Sequence, residues 1–291
     1  MLLDVSPLWP AQLDHIAIES PDPEGLAAFY ARALGMGVRP VTGGCWVAAG
    51  KQRRVIFCHG SARGHPFSAF AVSDQGQLEA YRRFIMARGA ALLPSPTPLF
   101  AEGAFSVSDP DGRLAVFGHP RREAGAEGAA VLPGRLQHVV VASSRFPEMM
   151  AFYRDVLGFL VSDTVHVADA NGRLGDVNVC FLRSNEEHHA FAVFRAPKSS
   201  SDHFALDVES WEGIRRWADH FAALDVAIWW GPGRHGAGNN LFFMVKDPDG
   251  NNIEISAELE RLPKGEPGKR WPAGGKALNL WGPVWVRDVP A

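Results

Sequence analysis

The segment LDHIAIESPDPEGLAAFYARALGM, residues 13–36, recurs later in the chain as LQHVVVASSRFPEMMAFYRDVLGF, residues 136–159. A second pair of segments supports the same comparison, because VSDPDGRLAVFG at 107–118 matches VKDPDGNNIEIS at 245–256. Self-similarity at a long, fixed spacing is the signature of a repeated structural unit. The chain therefore contains two copies of one module.

Both copies predict the same order of elements. LQHVVVA predicts a strand, and the apolar residues of the next segment recur every three or four positions up to Gly158, as in a helix with a left-handed cap. Alternating runs after the helix predict strands, and HFALDV predicts a further strand. A second helix with one apolar side follows over Trp211 to Leu224, and a D-P-D-G hairpin turn comes near the end of the module. The predicted fold class is α+β, with the order βαβββ twice in each tandem module. We place the domains at residues 1–125 and 131–291, joined by the linker REAGAEGAAVLPG.

The overall composition excludes several classes of function. The chain of 291 residues has 46% hydrophobic residues and a net charge of -3, without long runs of Lys or Arg, so we expect no nucleic acid partner. No segment approaches the ~20 apolar residues of a membrane-spanning helix, and the start lacks a leader pattern, which predicts a cytoplasmic protein without membrane contact. Cys45, Cys58 and Cys180 are odd in number and lack C-x-x-C spacing, which predicts buried thiols rather than disulfides.

Three residues of the second copy form a candidate metal site. His138 lies in the first predicted strand, His203 begins HFALDV, and Glu254 lies in the last strand. If these strands are neighbours in a curved sheet, their side chains converge on its concave face, because successive residues alternate between faces. Two imidazoles and one carboxylate leave three adjacent positions open on a metal, as in non-haem Fe(II) oxygenases. The alternative is two hydrogen-bonded core histidines and a surface carboxylate.

The first copy provides an internal control for this site. It keeps a histidine at His15, but our alignment places Ala69 at the position of His203 and Val116 at the position of Glu254. A fold that needed the polar residues for its own stability would need them in both copies. The three residues are therefore predicted to serve a site that only the second copy has.

The chain resembles the two-module type I extradiol ring-cleavage dioxygenases of the vicinal oxygen chelate superfamily over nearly its whole length. The resemblance is strongest at GPGRHGAGNN followed by KDPDGNNIEI, a combination similar to that of the catechol and homoprotocatechuate 2,3-dioxygenases. It implies two vicinal oxygen chelate domains, of which the first is metal-free. It also implies Fe(II), with Mn(II) as the other option, bound by His138, His203 and Glu254.

The same resemblance implies an activity and partners. The substrates would be O2 and a catechol-type aromatic, with two or three vicinal hydroxyl groups, whose ring is opened during aromatic catabolism. The substrate oxygens would chelate the metal and O2 would take the remaining position. A homo-oligomer, either a dimer or a tetramer, is the family expectation.

Two further histidines gain roles from the resemblance. His189, in EEHHAFAVF, matches the family histidine that stands over the open metal positions and moves protons, a task that suits an imidazole. Its neighbour His188 would point to the other side of the strand. His235, in GPGRHG, matches the histidine that hydrogen-bonds the substrate oxygen and the metal ligands. The alternatives are an exposed histidine pair for the first and an ordinary loop histidine for the second.

The sequence departs from the family where the substrate would lie. Met244 stands nine residues after the GRH histidine, where the family has a tyrosine, and a thioether cannot donate a proton. Trp229 and Trp230 replace an arginine that binds a substrate carboxylate in the homoprotocatechuate branch. We expect Met244, Trp230 and Phe181 to line the pocket. The tryptophan-rich tail, residues 261–291, predicts a lid, a subunit contact or packing on the module surface.

Two other functions are consistent with this fold. A lyase or isomerase of the same superfamily polarises a substrate carbonyl without O2, but such enzymes tend to use a fourth protein ligand, which the repeat does not offer. A drug-binding resistance protein needs a cavity and no metal, which the three candidate ligands disfavour.

Overall fold

The computed structural model describes residues 6–121, 132–169 and 171–282. The described part of the first copy contains β1 Gln12–Ser20, α1 Pro23–Leu34, β2 Gly37–Val41, β3 Cys45–Gly50, β4 Arg53–His59, β5 Gly64–Ala71, α2 Gln75–Met86, β6 Leu93–Pro94, β7 Phe105–Ser108 and β8 Leu114–Gly118. The described part of the second copy contains β9 Arg135–Ser143, α3 Phe146–Ala151, β10 Leu160–Ala168, β11 Leu174–Arg183, β12 Phe191–Arg195, β13 Ser200–Asp207, α4 Trp211–Ala223, β14 Ile228–Arg234, β15 Leu241–Lys246, β16 Asn252–Ala257, β17 Arg270–Pro272 and α5 Gly275–Leu278. Most of the predicted linker, residues 122–131, lies outside the described residues.

Each copy forms one sheet from its own strands. The strand order is β2-β3-β4-β1-β5-β8-β7-β6 in the first sheet and β14-β15-β16-β13-β9-β12-β11-β10-β17 in the second. In both sheets, two βαβββ units meet at a central antiparallel pair, β1 with β5 and β9 with β13. The predicted α+β class and the predicted order of elements are confirmed.

Several local predictions differ from the structure. The helix expected up to Leu157 is α-helical only over α3, and it continues as a π-helical segment, Phe152–Val156. In α4 the side chains of Ile214 and Trp217 are buried, but Trp211, the first residue of the helix, is 47% exposed. The strands β14 and β17 were not predicted, since Gly and Pro interrupt their alternating patterns.

The prediction for the cysteines is wrong for two of the three. Cys45 and Cys58 form a disulfide with a Cα–Cα distance of 4.4 Å, because β3 and β4 are antiparallel neighbours and bring the two residues opposite each other. Two cysteines that are 13 residues apart on neighbouring strands have no C-x-x-C signature, so the spacing rule could not detect the pairing. Cys180 is a buried free thiol, as predicted.

The two modules share one hydrophobic core and exchange hydrogen bonds across it. Tyr30 of the first copy donates its hydroxyl to Asp247 in the D-P-D-G turn of the second, at 3.0 Å. Tyr153 of the second copy donates to Asp109 in the D-P-D-G turn of the first, at 3.4 Å. The repeated Phe-Tyr and D-P-D-G motifs are therefore elements of the interface between the modules.

Among residues 6–121, 132–169 and 171–282, none of the helices combines the length and the apolar character that crossing a membrane requires.

Candidate metal centre and substrate cavity

Five strands of the second sheet place one side chain each in a single row across the sheet. Trp230 pairs with Met244, and Met244 pairs with Glu254. Glu254 in turn pairs with Ala205, and Ala205 pairs with His138. Residues directly opposite each other on neighbouring strands share a face. Because Ala205 has only a methyl group, the longer side chains of Glu254 and His138 can meet above it.

The second histidine comes from the adjacent row. His203 lies two residues before Ala205 in β13, so both point to the same face. His203 pairs with Val140 on β9, and that row continues through Ala192 to Phe181 on β11. The sheet thus collects His203 and Phe181 beside the first row, on the side that carries the candidate ligands.

The three candidate ligands converge to contact distances. The Nε2 atoms of His138 and His203 are 3.3 Å apart, and His203 Nε2 is 3.3 Å from Glu254 Oε2. His138 Nε2 is 3.9 Å from Glu254 Oε1. Of the side chains that the structure describes, only these three form a group of His, Cys, Asp or Glu with ligand atoms within 4.8 Å of one another. The structure therefore brings together the three residues that the repeat singled out.

A neighbouring polar group orients each candidate ligand. The Nδ1–H of His138 donates to Gln137 Oε1, and the Nδ1–H of His203 donates to Asp202 Oδ1. These bonds leave both Nε2 lone pairs facing the centre, an orienting arrangement that is common around protein metals. The buried amide of Asn240 donates to Glu254 Oε1 at 3.1 Å. Sequence analysis missed these partners, although a polar residue directly before each histidine was a visible signal.

The charge state of the cluster suits a divalent cation. Burial lowers the pKa of His138 to about 3 and also lowers the pKa of His203, so both imidazoles are neutral and able to act as ligands. Burial raises the pKa of Glu254, but the adjacent imidazoles outweigh it and hold the pKa at about 2. Glu254 Oε2 is buried without a hydrogen-bond partner among the described residues. A buried carboxylate oxygen in this state is costly unless a cation compensates it, so these residues fit a metal.

A cavity of about 330 Å³ opens over the three residues. All the residues proposed from the sequence line it: His138, Phe181, His189, His203, Trp230, His235, Met244 and Glu254. Most of the other lining residues are apolar or small, with Asn178, Arg195 and Asn240 as the polar exceptions: Val140, Asn178, Val179, Phe194, Arg195, Ala237, Asn240, Ala277 and Leu278. The cavity has the size and the apolar walls of a site for a small aromatic molecule.

The two further histidines lie on different sides of the cavity. The ring centroid of His189 is 4.2 Å from that of His138. Burial lowers the pKa of His189 well below its usual range. His235 stacks on Phe242 with centroids 3.8 Å apart, and its Nε2 lies 3.6 Å from Glu254 Oε2. Both imidazoles can therefore reach a molecule bound next to the three candidate ligands.

Part of the tail reaches this cavity. Ala277 and Leu278 of α5 line it, and the Leu278 carbonyl accepts the Nδ1–H of His235 at 2.5 Å. Trp281, by contrast, is 54% exposed and packs edge-on against Trp211. Trp285 lies outside the described residues. The described tail thus closes one wall of the cavity.

Of the aromatic residues next to Met244 and Trp230 in the sequence, Phe243 lies in the shared core, and Trp229 is absent from the cavity wall.

The corresponding face of the first copy is filled. His15 pairs with Ala69, and Ala69 pairs with Val116, exactly as His138, Ala205 and Glu254 pair in the second copy. The alignment of Ala69 with His203 was therefore wrong by two residues. The residue at the position of His203 is Phe67, whose ring packs on His15.

The conclusion from the alignment is unaffected, because both replaced positions are apolar in the first copy. The buried residues on this face form one cluster: Ala17, Val47, Ala49, Ile56, Phe67, Ala69, Leu99, Phe100 and Val116.

Comparison with known proteins agrees with the fold. Residues 135–255 match the family described as Glyoxalase/Bleomycin resistance protein/Dioxygenase superfamily. Homoprotocatechuate 2,3-dioxygenase from Arthrobacter globiformis superposes with a TM-score of 0.77 at 20% identity, covering 97% of this chain and 91% of that one. The Mn(II)-bound glyoxalase from Novosphingobium aromaticivorans superposes with a TM-score of 0.73 at 26% identity, covering 93% and 90%.

A relative by sequence extends over almost the whole chain. Metapyrocatechase 2 of Cupriavidus necator is 30% identical over 96% of this chain and 89% of its own length. With both modules covered, the chain belongs to the Glyoxalase/Bleomycin resistance protein/Dioxygenase superfamily and, within it, to the extradiol ring-cleavage dioxygenases.

Proposed function

We propose that this protein opens the ring of a catechol-type aromatic with O2, and that His138, His203 and Glu254 hold the Fe(II) or Mn(II) ion that the reaction needs. One observation carries the proposal: two neutral imidazoles and a buried carboxylate oxygen without a hydrogen-bond partner converge at the floor of an apolar cavity. The relatives named for catechol and methylcatechol cleavage, and for iron or manganese dependence, support it.

The residues around the cavity have separate roles in proton transfer, charge stabilisation and substrate packing. When bound, the metal supplies open positions for two vicinal hydroxyl oxygens and O2. His189 accepts a proton from a substrate hydroxyl and later returns it, because its ring faces the cavity beside His138. His235 stabilises the negative charge that develops on the substrate oxygen when its ring is protonated, because its Nδ1–H is donated to the Leu278 carbonyl and only the protonated ring has a second N–H to donate. Trp230, Phe181 and Met244 hold the flat ring and exclude water.

The test combines metal content with O2 uptake. Protein purified without oxygen is expected to bind about one iron or manganese per chain. Catechols added to it should cause O2 consumption and the appearance of a yellow ring-opened product. Metal binding without substrate-dependent O2 uptake would contradict the dioxygenase, and a chain that binds no metal would contradict the site.

The first copy offers a matched control for the ligands. His138→Gln removes a candidate ligand and should abolish both metal retention and O2 uptake. His15→Gln changes the equivalent residue of the first copy, which is equally buried and hydrogen-bonded, and should keep the metal even if it lowers stability. Loss of metal in both variants would point to unfolding and not to ligation.

The homo-oligomeric state, a dimer or a tetramer, and the cytoplasmic location stay predictions. Light scattering during size-exclusion chromatography tests the first, and the location of the protein in cell fractions tests the second.

A further inference from the structure

A second histidine lies directly behind the residue that faces the cavity. His188 is fully buried, and its Nδ1 lies 3.0 Å from Nδ1 of His189. Its Nε2 lies 3.2 Å from Oδ2 of Asp163 on β10. The three residues form a continuous chain of polar atoms, from the strand that pairs with the tail to the wall of the cavity.

Asp163 lies at the end of these polar contacts that is farthest from the cavity, and it can only accept hydrogen bonds. Asp163 Oδ1 accepts the backbone N–H of Lys269, and Asp163 Oδ2 accepts the indole N–H of Trp271. These bonds and the contact with His188 outweigh burial and lower the pKa of Asp163, so the carboxyl is ionised. An ionised carboxylate cannot donate, so a hydrogen bond between the two groups needs a proton on Nε2 of His188.

The position of the proton on His188 determines where the proton of His189 lies. If the proton on Nε2 is the only proton of the His188 ring, Nδ1 has a lone pair, and this lone pair needs a donor. The only polar atom that the structure brings to it within hydrogen-bond distance, among the described residues, is Nδ1 of His189. His189 then carries its proton on Nδ1 and keeps a bare lone pair on Nε2, the ring nitrogen left for the cavity that His189 lines.

We infer that Asp163 and His188 are positioning residues that fix the orientation and the tautomer of His189, so that its Nε2 faces the substrate as an acceptor. The aromatic ring of Phe181 packs 5.3 Å from His188 and 5.0 Å from His189, which holds both rings in place. The inference rests on the proposed function in one respect: it makes His189 ready to take a substrate proton, as the proposed mechanism requires.

The tautomers can be observed without the reaction. A two-bond nitrogen–proton correlation spectrum of the metal-free protein, labelled with 15N in histidine, separates protons on Nδ1 from protons on Nε2. We expect His189 to be protonated on Nδ1 and His188 on Nε2, with assignments taken from the single variants. His189 protonated on Nε2, or His188 protonated on both nitrogens, would overturn the inference. This readout is independent of whether the protein cleaves catechols.

Kinetics of the metal-loaded protein test the consequence. His188→Phe keeps the buried ring but removes both nitrogens, and kcat is expected to fall by about 10- to 100-fold with little change in KM, as for other partners that orient a functional histidine. His188→Gln keeps an acceptor and a donor and should restore part of the loss. Equal kcat for the wild type and His188→Phe would overturn the inference.

A third variant controls for the loss of a buried histidine as such. His166 is also buried in the second sheet, where it contacts Thr164 and the carbonyl of Gly175 outside the cavity. His166→Phe should leave kcat and the tautomer of His189 unchanged. If it lowers kcat as much as His188→Phe does, the effect is structural and the inference fails.

Discussion

Met244 is the residue that most separates this cavity from the family pattern. It is fully buried and lies in the row of side chains that runs across the sheet from Trp230 to His138. It pairs with both Trp230 and Glu254, so it faces the place where the substrate ring would lie. A methionine there offers an adaptable apolar surface and no proton. The substrate oxygen on this side must therefore be stabilised by another group, for which His235 on the cavity wall is a candidate.

Replacing Met244 tests this role. Met244→Tyr adds a hydroxyl and reduces the space, so we expect the ratio of kcat/KM for unsubstituted catechol over ring-substituted catechols to rise by up to about tenfold, the value of one hydrogen bond. Met244→Leu, which keeps the volume and adds no donor, is the control and should leave the ratio unchanged. The measurement is O2 uptake with a series of catechols. A ratio that does not move in Met244→Tyr would show that the side chain does not face the ring.

Asn240 gives a second test at the scale of a residue. Its amide donates to Glu254 Oε1 and to Ser256 Oγ, and it fixes the carboxylate that would bind the metal. Asn240→Leu should weaken metal binding by about 10- to 100-fold, the usual effect of losing such a partner. Titration of the metal-free protein with Fe(II) or Mn(II) measures the change. Asn239→Gly, at the adjacent exposed residue with a positive φ, is the control and should bind metal as the wild type does.

At the scale of elements, sequence comparison could find the repeated strands but not their register. The comparison of the two copies aligned Ala69 with His203, whereas the strand pairing shows that Phe67 occupies the position equivalent to His203. A shift of two residues keeps every side chain on the same face, so the alternating pattern fits both alignments equally well. Irregularities in β13, one of them between Ser201 and His203, change the register locally and leave no mark in the sequence.

The cluster of candidate ligands could be predicted because the two copies differ at these positions. His138, His203 and Glu254 stand out against the apolar first copy, and the structure brings them together. The pair Asp163 and His188 could not be predicted, since their contact depends on how β10 lies against the segment before β12. Residues that meet through such packing share no spacing that a sequence displays.

The element α5 supports a prediction about the tail. A chain that ends at Pro272 loses Ala277 and Leu278 from the cavity wall and the carbonyl that holds His235. We expect kcat/KM to fall by about tenfold or more, because water enters the cavity and His235 is no longer oriented. Metal content should not change, since the three candidate ligands lie in other elements. A chain that ends at Gly282 keeps α5 and is the control; equal losses in both truncations would contradict the role given to α5.

At the scale of the molecule, the Tyr–Asp hydrogen bonds between the two modules predict how stability depends on pH. Burial raises the pKa of Asp109 to about 6, from 3.8 for a free side chain. Because the folded state binds this proton more tightly than the unfolded state, the contribution to stability is present below about pH 4 and is lost as the pH rises through 6. Chemical denaturation of Asp109→Asn and the wild type between pH 4 and 7 measures it. The stability of the variant relative to the wild type should rise across this range, and a constant difference would contradict the prediction.

The tyrosine hydroxyls give a matched pair of variants. Tyr30→Phe and Tyr153→Phe each remove one hydrogen bond between the modules, and each should lower the free energy of unfolding by about 1 to 2 kcal/mol. The effects should be similar because the two contacts are equivalent. Denaturant titration at constant pH measures both. A loss confined to one variant would show that the two contacts are not energetically equivalent.

All three tyrosines of the chain donate their hydroxyl groups to the opposite module, Tyr81 to the carbonyl of Leu157 and the other two to the D-P-D-G turns. The contact between Tyr30 and Asp247 has a counterpart between Tyr153 and Asp109, so each module uses the same two motifs to bind the other. Such a reciprocal contact is the hallmark of a homodimer with twofold symmetry. One polypeptide thus contains the contact pattern of a twofold dimer. Separation of the two halves would leave Asp247 and Tyr153 of the second half without their partners Tyr30 and Asp109.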